Sequence, residues 1–182
     1  LFEIDLNNLI ENKGINLQNE AGNIGIGTTG ASNINVNDGV LRFHNNTKIL
    51  NSFIVWRGKT YYPAPIKAEG FESTTKGVLP QPTLTIASQS ESGTDQLALL
   101  KNQIREFGDI IGSKVTRIRT FAKYLDRINF SGSIHNSKKV LEIPQGYEPD
   151  PYAQLPKDVY FIERKQTETK SVLTYQLSSI LD

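Results

Sequence analysis

The sequence predicts a mainly β protein with one covering α-helix, a β-rich α+β domain whose antiparallel sheets form a barrel or a sandwich. Short runs in which apolar and polar residues alternate recur along most of the chain, as in half-buried strands. Turns rich in glycine, proline and asparagine separate these runs. Only Asp95–Phe107 has apolar residues at the spacing of three and four that is typical of a helix.

The composition is that of a globular protein with balanced charge. The 182 residues are enough for one domain with a sizeable core, and 37% of them are hydrophobic. Lys and Arg number 20 against 19 Asp and Glu, a net charge of +1 that argues against a general nucleic-acid binder. We expect no membrane partner, because no apolar run approaches the roughly 20 residues that span a bilayer.

The chain contains neither cysteine nor methionine. Without cysteine it has no disulfide, no thiolate metal site and no cysteine nucleophile. Without an initiator methionine, we expect the numbered chain to be trimmed at its start. We treat residues 1–182 as one β-rich domain with loop excursions at about 15–32 and 129–156.

The chain begins with the alternating strand Leu1–Leu6 and continues into the Asn/Gly-rich segment Ile15–Ser32. That segment holds a formal G-x-G-x-x-G at Gly25–Gly30. A dinucleotide site needs a helix immediately after the glycines, and the residues that follow are strand-like instead. The motif therefore indicates a flexible surface loop or a β-excursion, and Asn37-Asp38-Gly39 then predicts a hairpin turn.

The stretch Phe53–Ala87 reads as a β-meander with the single tryptophan, Trp56, as its anchor. Gly58-Lys59 predicts the turn of its first hairpin. The alternating runs are Phe53–Arg57, Thr60–Tyr62, Ile66–Phe71 and Pro82–Ala87.

The remaining elements follow the predicted helix, which Gly108 ends. Lys114–Leu125 alternates as a strand with basic residues on one face. The polar, proline-containing segment Asn129–Pro156 predicts a long loop, of the kind that is usually functional, mobile or an interface arm. Two strands close the chain, Asp158–Arg164 and Ser171–Ser178, joined by the charged turn Lys165–Lys170.

No catalytic or metal-binding motif stands out. His44 and His135 lack the spacing of a metal site, and no G-x-S-x-G is present. Paired carboxylates could serve a glycosidase, but a solvated strand face explains each candidate better. These candidates are Glu69, Glu72, Asp126 and Glu163.

The densest basic patch lies between residues 117 and 127, with aromatic residues interleaved. It consists of Arg117, Arg119, Lys123 and Arg127 together with Phe121 and Tyr124. Three interpretations remain open: a salt-bridged strand face, a surface for an acidic protein partner, or a nucleic-acid site that uses the rings for stacking.

Several segments, in order along the chain, together form a fairly specific pattern, although none is a catalytic signature. They are Arg42–His44, Ile54–Pro65 (IVWRGKTYYPAP), Ile66, Gly70-Phe71-Glu72, Lys76-Gly77, Pro82–Thr85, Gly112–Arg117, Phe121–Asp126 and Asn129-Phe130. With these segments the chain resembles the minor tail protein L family of lambda-like long-tailed phages.

The resemblance implies a non-enzymatic virion protein of the tail tip, made in the host cytoplasm. It implies a homotrimeric tail-hub domain between the distal tail protein ring and the central hub or fibre protein. It also implies an iron–sulfur cluster in a C-terminal domain, which we expect beyond Asp182 because this chain has no cysteine. No cofactor is expected within the chain. The segments 15–32 and 129–156 look enlarged for the family.

On this interpretation the function is assembly, by burial of aromatic surface and by charge pairing. The candidate interface residues are Trp56, Tyr61, Tyr62, Arg117, Arg119 and Tyr124. Trp56 fits the core slightly better than a subunit contact. The alternatives are a tail-associated cell-wall glycosidase and a carbohydrate- or nucleic-acid-binding module.

Overall fold

The computed structural model describes residues 1–12, 38–45, 53–71, 81–88, 97–98, 101, 104, 109–130, 143 and 145–179. Most of this part of the chain lies in or beside nine β-strands. The strands are β1 (Phe2–Asp5), β2 (Val40–His44), β3 (Ile54–Trp56), β4 (Lys59–Pro63), β5 (Ile66–Glu69), β6 (Thr83–Ala87), β7 (Lys114–Arg117), β8 (Asp158–Glu168) and β9 (Val172–Ser178). A short helix, α1 (Asn7–Asn12), and the 3₁₀ turns Ala122–Tyr124 and Arg127–Asn129 complete the described elements.

All nine strands belong to one sheet, in the order β3-β4-β2-β1-β7-β8-β9-β6-β5. Every neighbouring pair is antiparallel except β2 and β4, which run parallel. The sheet is curled but open, with β3 and β5 as its edges. The predicted barrel or sandwich of antiparallel sheets is therefore wrong.

The sheet must curl because β4 and β5 are close in sequence but far apart in strand order. Seven strand spacings separate them, about 34 Å in a flat sheet. Only Ala64 and Pro65 connect them, and three Cα–Cα steps reach at most about 11 Å. The Ala64 N–H bonds to the His44 carbonyl at 2.9 Å, and the Pro65 carbonyl accepts from Ala87 N–H at 2.9 Å. These two residues tie one end of the sheet to the other.

This crossing also corrects the predicted meander over residues 53–87. The hairpin is confirmed, with Ile54 opposite Tyr61 and Trp56 opposite Lys59, but its turn is Arg57-Gly58 and not the predicted Gly58-Lys59. The strands that follow pair on the far side of the sheet, where β5 joins β6. Alternation predicts each strand but carries no information about which strands become neighbours.

Two further strand boundaries differ from the prediction. The strand expected over 114–125 ends at Arg117, and two 3₁₀ turns follow it. β8 runs on through the expected charged turn to Glu168, with irregularities between Ile162 and Arg164 and between Lys165 and Thr167. The loop prediction for 15–32 and the first strand of the Asn37-Asp38-Gly39 hairpin lie outside the described residues.

The predicted covering helix is also wrong as an element of the architecture. The strands of the curled sheet themselves supply most of the buried side chains of the main core, so a separate helical layer is not required to form it. Within the described residues the one helix with defined ends is α1, of six residues. Leu97 and Ile104, from the predicted helix, are buried in the core. No helix in this part of the chain is long and apolar enough to cross a membrane.

The described residues form two hydrophobic cores on opposite faces of the sheet. The main core includes Phe43 and Tyr175, and Tyr62 packs against it. The outer core includes the neighbouring residue Tyr61, and since adjacent strand residues point to opposite faces, the β3–β4 hairpin is covered on both sides. The outer core consists of Ile54, Trp56, Tyr61, Ile118, Leu125 and Phe130.

Candidate partner interface

The candidate interface is built around the two-residue turn of the β3–β4 hairpin. Arg57 and Gly58 both have positive φ, 56° and 67°, as a type I′ turn requires. Glycine adopts this conformation without strain, whereas arginine does so rarely. The turn therefore needs support from outside the hairpin.

The support comes from residues 126–129, which lie against the hairpin. The Asp126 carboxylate accepts hydrogen bonds from the N–H groups of Arg57 and Gly58, at 3.0 and 2.8 Å. The buried Asn129 side chain accepts from Val55 N–H and donates to Val55 C=O, both at 2.6 Å. In a two-residue hairpin the Val55 groups point away from β4, so Asn129 occupies the outer edge of β3.

The Arg57 side chain links this turn to residues 151–152. Its guanidinium lies 4.3 Å from the ring centroid of Trp56 and 5.9 Å from that of Tyr152. Its Nε donates to the Pro151 carbonyl. Cation–π contacts of this kind hold a flexible side chain in place at little cost in solvation.

The described end of the 129–156 segment is fixed against residues 119–124. Thr120 Oγ1 donates to the Ala153 carbonyl at 2.7 Å, and Leu155 N–H donates to the Arg119 carbonyl at 2.9 Å. Tyr147 packs edge-on against Phe130 of the outer core, with ring centroids 4.8 Å apart. This part of the predicted loop is therefore an ordered layer over the outer core.

The layer leaves a set of aromatic and basic side chains at the surface, which we term the aromatic face. Phe121 is 63% exposed and Tyr152 83% exposed, high values for side chains of this size. Phe121 contacts the ring of Tyr124 edge-on, with centroids 6.2 Å apart, and Lys123 Nζ lies 4.8 Å from that ring. The aromatic face consists of Arg119, Phe121, Lys123, Tyr124 and Tyr152.

A groove of about 280 Å³ adjoins the aromatic face, with Arg119 and Phe121 among its lining residues. The buried residue His44 also lines it. An exposed aromatic side chain such as that of Phe121 beside a groove is the arrangement expected of a surface that contacts another molecule.

Comparison with known proteins identifies this chain. The family model for phage minor tail protein L matches residues 34–182, which include the hairpin, the aromatic face and every strand but β1. The chain belongs to the phage minor tail protein L family. It is therefore a protein of the phage tail, and hence of the virion.

A relative supports this assignment. Over 77 residues the chain is 30% identical to the tail tip protein L of Escherichia phage lambda. The aligned part is 42% of this chain and 30% of the length of the lambda protein. The chain thus matches less than a third of that relative.

The iron–sulfur cluster that the resemblance implies was expected beyond Asp182, so the residues of this L-family chain do not test that expectation. None of its 182 residues is a cysteine, the thiolate ligand that such clusters take. Among the residues that the structure describes, no group of His, Cys, Asp and Glu could hold a metal ion.

Of the six predicted interface residues, the structure buries two, leaves Tyr62, Arg117 and Tyr124 half-buried and exposes Arg119. Trp56 and Tyr61 are almost fully buried in the outer core of this L-family domain, and Tyr62 is half-buried against the main core. Arg119 and Tyr124 belong to the aromatic face. The preference for Trp56 as a core residue agrees with its position.

Arg117 is half-buried, whereas Arg119, which was predicted to set the register together with it, is exposed. Its Nε donates to the Asp158 carboxylate at 2.7 Å, and its guanidinium lies 4.1 Å from the ring centroid of Phe71. Arg119 is 46% exposed and approaches the same carboxylate at 3.5 Å. Because β7 ends at Arg117, the basic side chains do not line one face of a strand as expected.

The carboxylates proposed for glycoside hydrolysis are already engaged where the structure describes them. Glu69 pairs with Lys67 at 2.8 Å, Asp126 binds the hairpin turn, and Glu163 accepts from Gln176 at 3.1 Å. They lie on β5, beside a 3₁₀ turn and on β8. Glu72 and His135 lie outside the described residues.

A charge network on the outer face of the sheet supports the hairpin from its other side. Asp38 binds Arg42 at 2.6 Å and Lys59 at 3.1 Å. These hydrogen bonds, that from Arg42 foremost, lower the pKa of Asp38 to about 2. The Tyr61 hydroxyl donates to Glu3 at 2.7 Å, and burial together with that carboxylate raises the pKa of Tyr61.

Sequence reasoning missed Arg57, Asn129 and Tyr152 as parts of this site. Positive φ at Arg57 depends on supports that are distant in the chain, and nothing in the local sequence marks Asn129 as the partner of Val55. The dipeptide Pro151-Tyr152 within a turn-rich segment was the one available signal for an exposed aromatic residue.

Proposed function

We propose that this domain is a structural component of the tail tip, placed between the distal tail protein ring and the central hub. In this proposal it forms a homotrimer and makes its main contacts through the aromatic face. Family membership supports a role in the tail, and the name of the lambda relative supports a position at the tip.

The observation that carries the proposal is the exposure of Phe121 and Tyr152 on an ordered surface. Aromatic residues are enriched at interfaces because they bury a large area with little loss of conformational entropy. Their backbone segments are held to each other and to the hairpin before any partner binds. Such preorganisation lowers the entropic cost of assembly.

The charges around the face favour a protein partner over nucleic acid. Arg57, Arg119, Lys123 and Arg127 are accompanied by Asp126, Glu148, Asp150 and Asp158. Phosphate binding requires an excess of free cations, whereas protein interfaces commonly combine both signs around an apolar centre.

Phe121→Glu combined with Tyr152→Glu tests the proposal in a phage that lacks the wild-type gene. Ile111→Glu is the matched control, since Ile111 is also an exposed apolar residue, at 45%, in a turn away from the aromatic face. We expect the double variant to fold but to reduce plaque formation at least about 100-fold, with two lost aromatic anchors. Normal plaque counts and normal tails in the double variant would overturn the proposal.

A further inference from the structure

The strand β5 forms an edge of the sheet, and no residue that the structure describes bonds to its outer N–H and C=O groups. Every second residue along β6 forms backbone hydrogen bonds with β9. The pattern extends past the strand ends, where Leu177 N–H donates to Pro82 C=O and Ser88 N–H donates to Ser171 C=O, both at 2.8 Å. The residues between them bond to β5, as shown by Ala87 N–H to Pro65 C=O at 2.9 Å. The N–H and C=O groups of Ile66 and Ala68 therefore point away from β6.

No hydrogen bond to these outward groups is present in the part of the chain that the structure describes. The other sheet edge differs, because Asn129 occupies the outward groups of Val55 on β3. The part of β8 that extends past its pairing with β7 differs as well, because two irregularities interrupt the regular strand there. Among the described strands, β5 thus offers a regular edge that another strand could extend.

The side chains of β5 are complementary to a second copy of the same strand. Suppose that two β5 strands pair antiparallel about a two-fold axis at Ala68. Lys67 of the first copy then faces Glu69 of the second, and Glu69 of the first copy faces Lys67 of the second. Lys67 and Glu69 are 70% and 58% exposed, and among the described residues each forms an ion pair with the other alone, at 2.8 Å. Opposite charges directly across two strands stabilise the pair.

The hydrogen-bond pattern fits the same register. Pairing about Ala68 places outward N–H and C=O groups opposite their equivalents, so the two Ala68 residues can exchange two hydrogen bonds. A register shifted by one residue would oppose groups that point away from each other. Gly70, at φ 75°, follows the last residue of β5 and ends the extended backbone, so the contact is limited to a few residues.

We propose that two free copies of this protein associate through β5 in a two-fold, antiparallel strand pair centred on Ala68. A two-fold pair cannot be part of a three-fold ring, so the contact belongs to the protein before its incorporation into the tail. In the free protein this contact covers the β5 edge, which could otherwise pair with strands of unrelated proteins. The inference stands on β5 alone and does not depend on the aromatic face.

The contact is short, so the dimer should be weak. An interface of this size is at the low end for protein pairs, and we expect a dissociation constant on the order of 100 µM. Sedimentation velocity of the full-length wild-type protein should show a monomer at about 5 µM and mostly dimer at about 1 mM. A monomer at both concentrations, or a trimer, would overturn the proposal.

Charge variants test the register. Lys67→Glu and Glu69→Lys each oppose like charges in a self-pair, and we expect each to weaken the dimer at least about tenfold. An equimolar mixture of the two variants restores opposite charges at both positions and should form a heterodimer. The double variant Lys67→Glu/Glu69→Lys should form a dimer as the wild type does. If either single variant associates as strongly as the wild type, or the mixture stays monomeric, the register is wrong.

Ala68→Pro tests the backbone contribution. Proline removes the outward N–H of Ala68 but no hydrogen bond to β6, and such positions on edge strands accept proline. We expect a monomer at about 1 mM whose circular dichroism matches the wild type. The charge variants keep the test valid if Ala68→Pro fails to fold, because their side chains are exposed. A dimeric, folded Ala68→Pro protein would count against the strand pair.

Discussion

The side chain of Asn129 acts as a strand partner for Val55. Its amide oxygen accepts from the Val55 N–H and its amide nitrogen donates to the Val55 C=O, both at 2.6 Å. The same nitrogen donates to the Asp126 carbonyl. One buried side chain thus closes the β3 edge of the sheet and fixes the turn beside it, where Asp126 binds the hairpin amides.

Replacing Asn129 with alanine should destabilise the fold strongly. The substitution leaves the N–H and C=O of Val55 and the carbonyl of Asp126 without their partner, so we expect a loss of about 2–4 kcal/mol. Chemical denaturation measures this loss. Ile128→Ala, at the neighbouring and partly exposed position, is the control and should cost less than about 1 kcal/mol. Equal costs for the two variants would show that Asn129 has no special role.

Arg117 and Arg119 should respond differently to reversal of charge. Arg117→Glu places a carboxylate against Asp158 and removes the contact with Phe71, so we expect a loss of about 2–3 kcal/mol in unfolding free energy. Arg119→Glu changes a side chain that is 46% exposed and should cost less than about 1 kcal/mol. Thermal unfolding of the two variants measures both. Similar melting temperatures would contradict the stabilising contacts of Arg117 with Asp158 and Phe71.

Acid should weaken the fold through Asp38. Because its folded pKa of about 2 lies below the ordinary value of 3.8, Asp38 stabilises the folded state above pH 4. That contribution is lost as the pH falls from about 4 to about 2, and since the carboxylate is 40% exposed it amounts to about 1 kcal/mol at most. Comparison with Asp38→Asn by denaturation at pH 7 and pH 2.5 measures it. The difference between the two proteins should shrink at the lower pH, and an unchanged difference would contradict the assignment.

Local sequence patterns predicted several strands well. Alternation marked β1, β4, β6 and β9, and the turn-forming pair at Gly58 marked the β3–β4 hairpin. These features depend on residues that are neighbours in the chain, where the physical preferences of each residue decide the local structure.

The sheet order and most of the candidate site could not be predicted. The parallel contact between β2 and β4, and the crossing at Ala64 that carries the chain across the curled sheet, join residues that local periodicity does not connect. The alternation of Lys114–Leu125 continued past Arg117, yet the outer core required 3₁₀ turns there to bury Leu125. Arg57 and Asn129 acquire their roles only through these distant contacts.

Site-specific photo-cross-linking within the assembled phage tail tests the central claim most directly. A cross-linking amino acid replaces Phe121 of the aromatic face in one protein and the exposed Thr167 of β8 in a control. Position 121 should form adducts with another tail protein or with a second copy of this chain, whereas position 167 should form few. Abundant adducts from position 167 with none from position 121 would contradict the assignment of the aromatic face as the assembly surface.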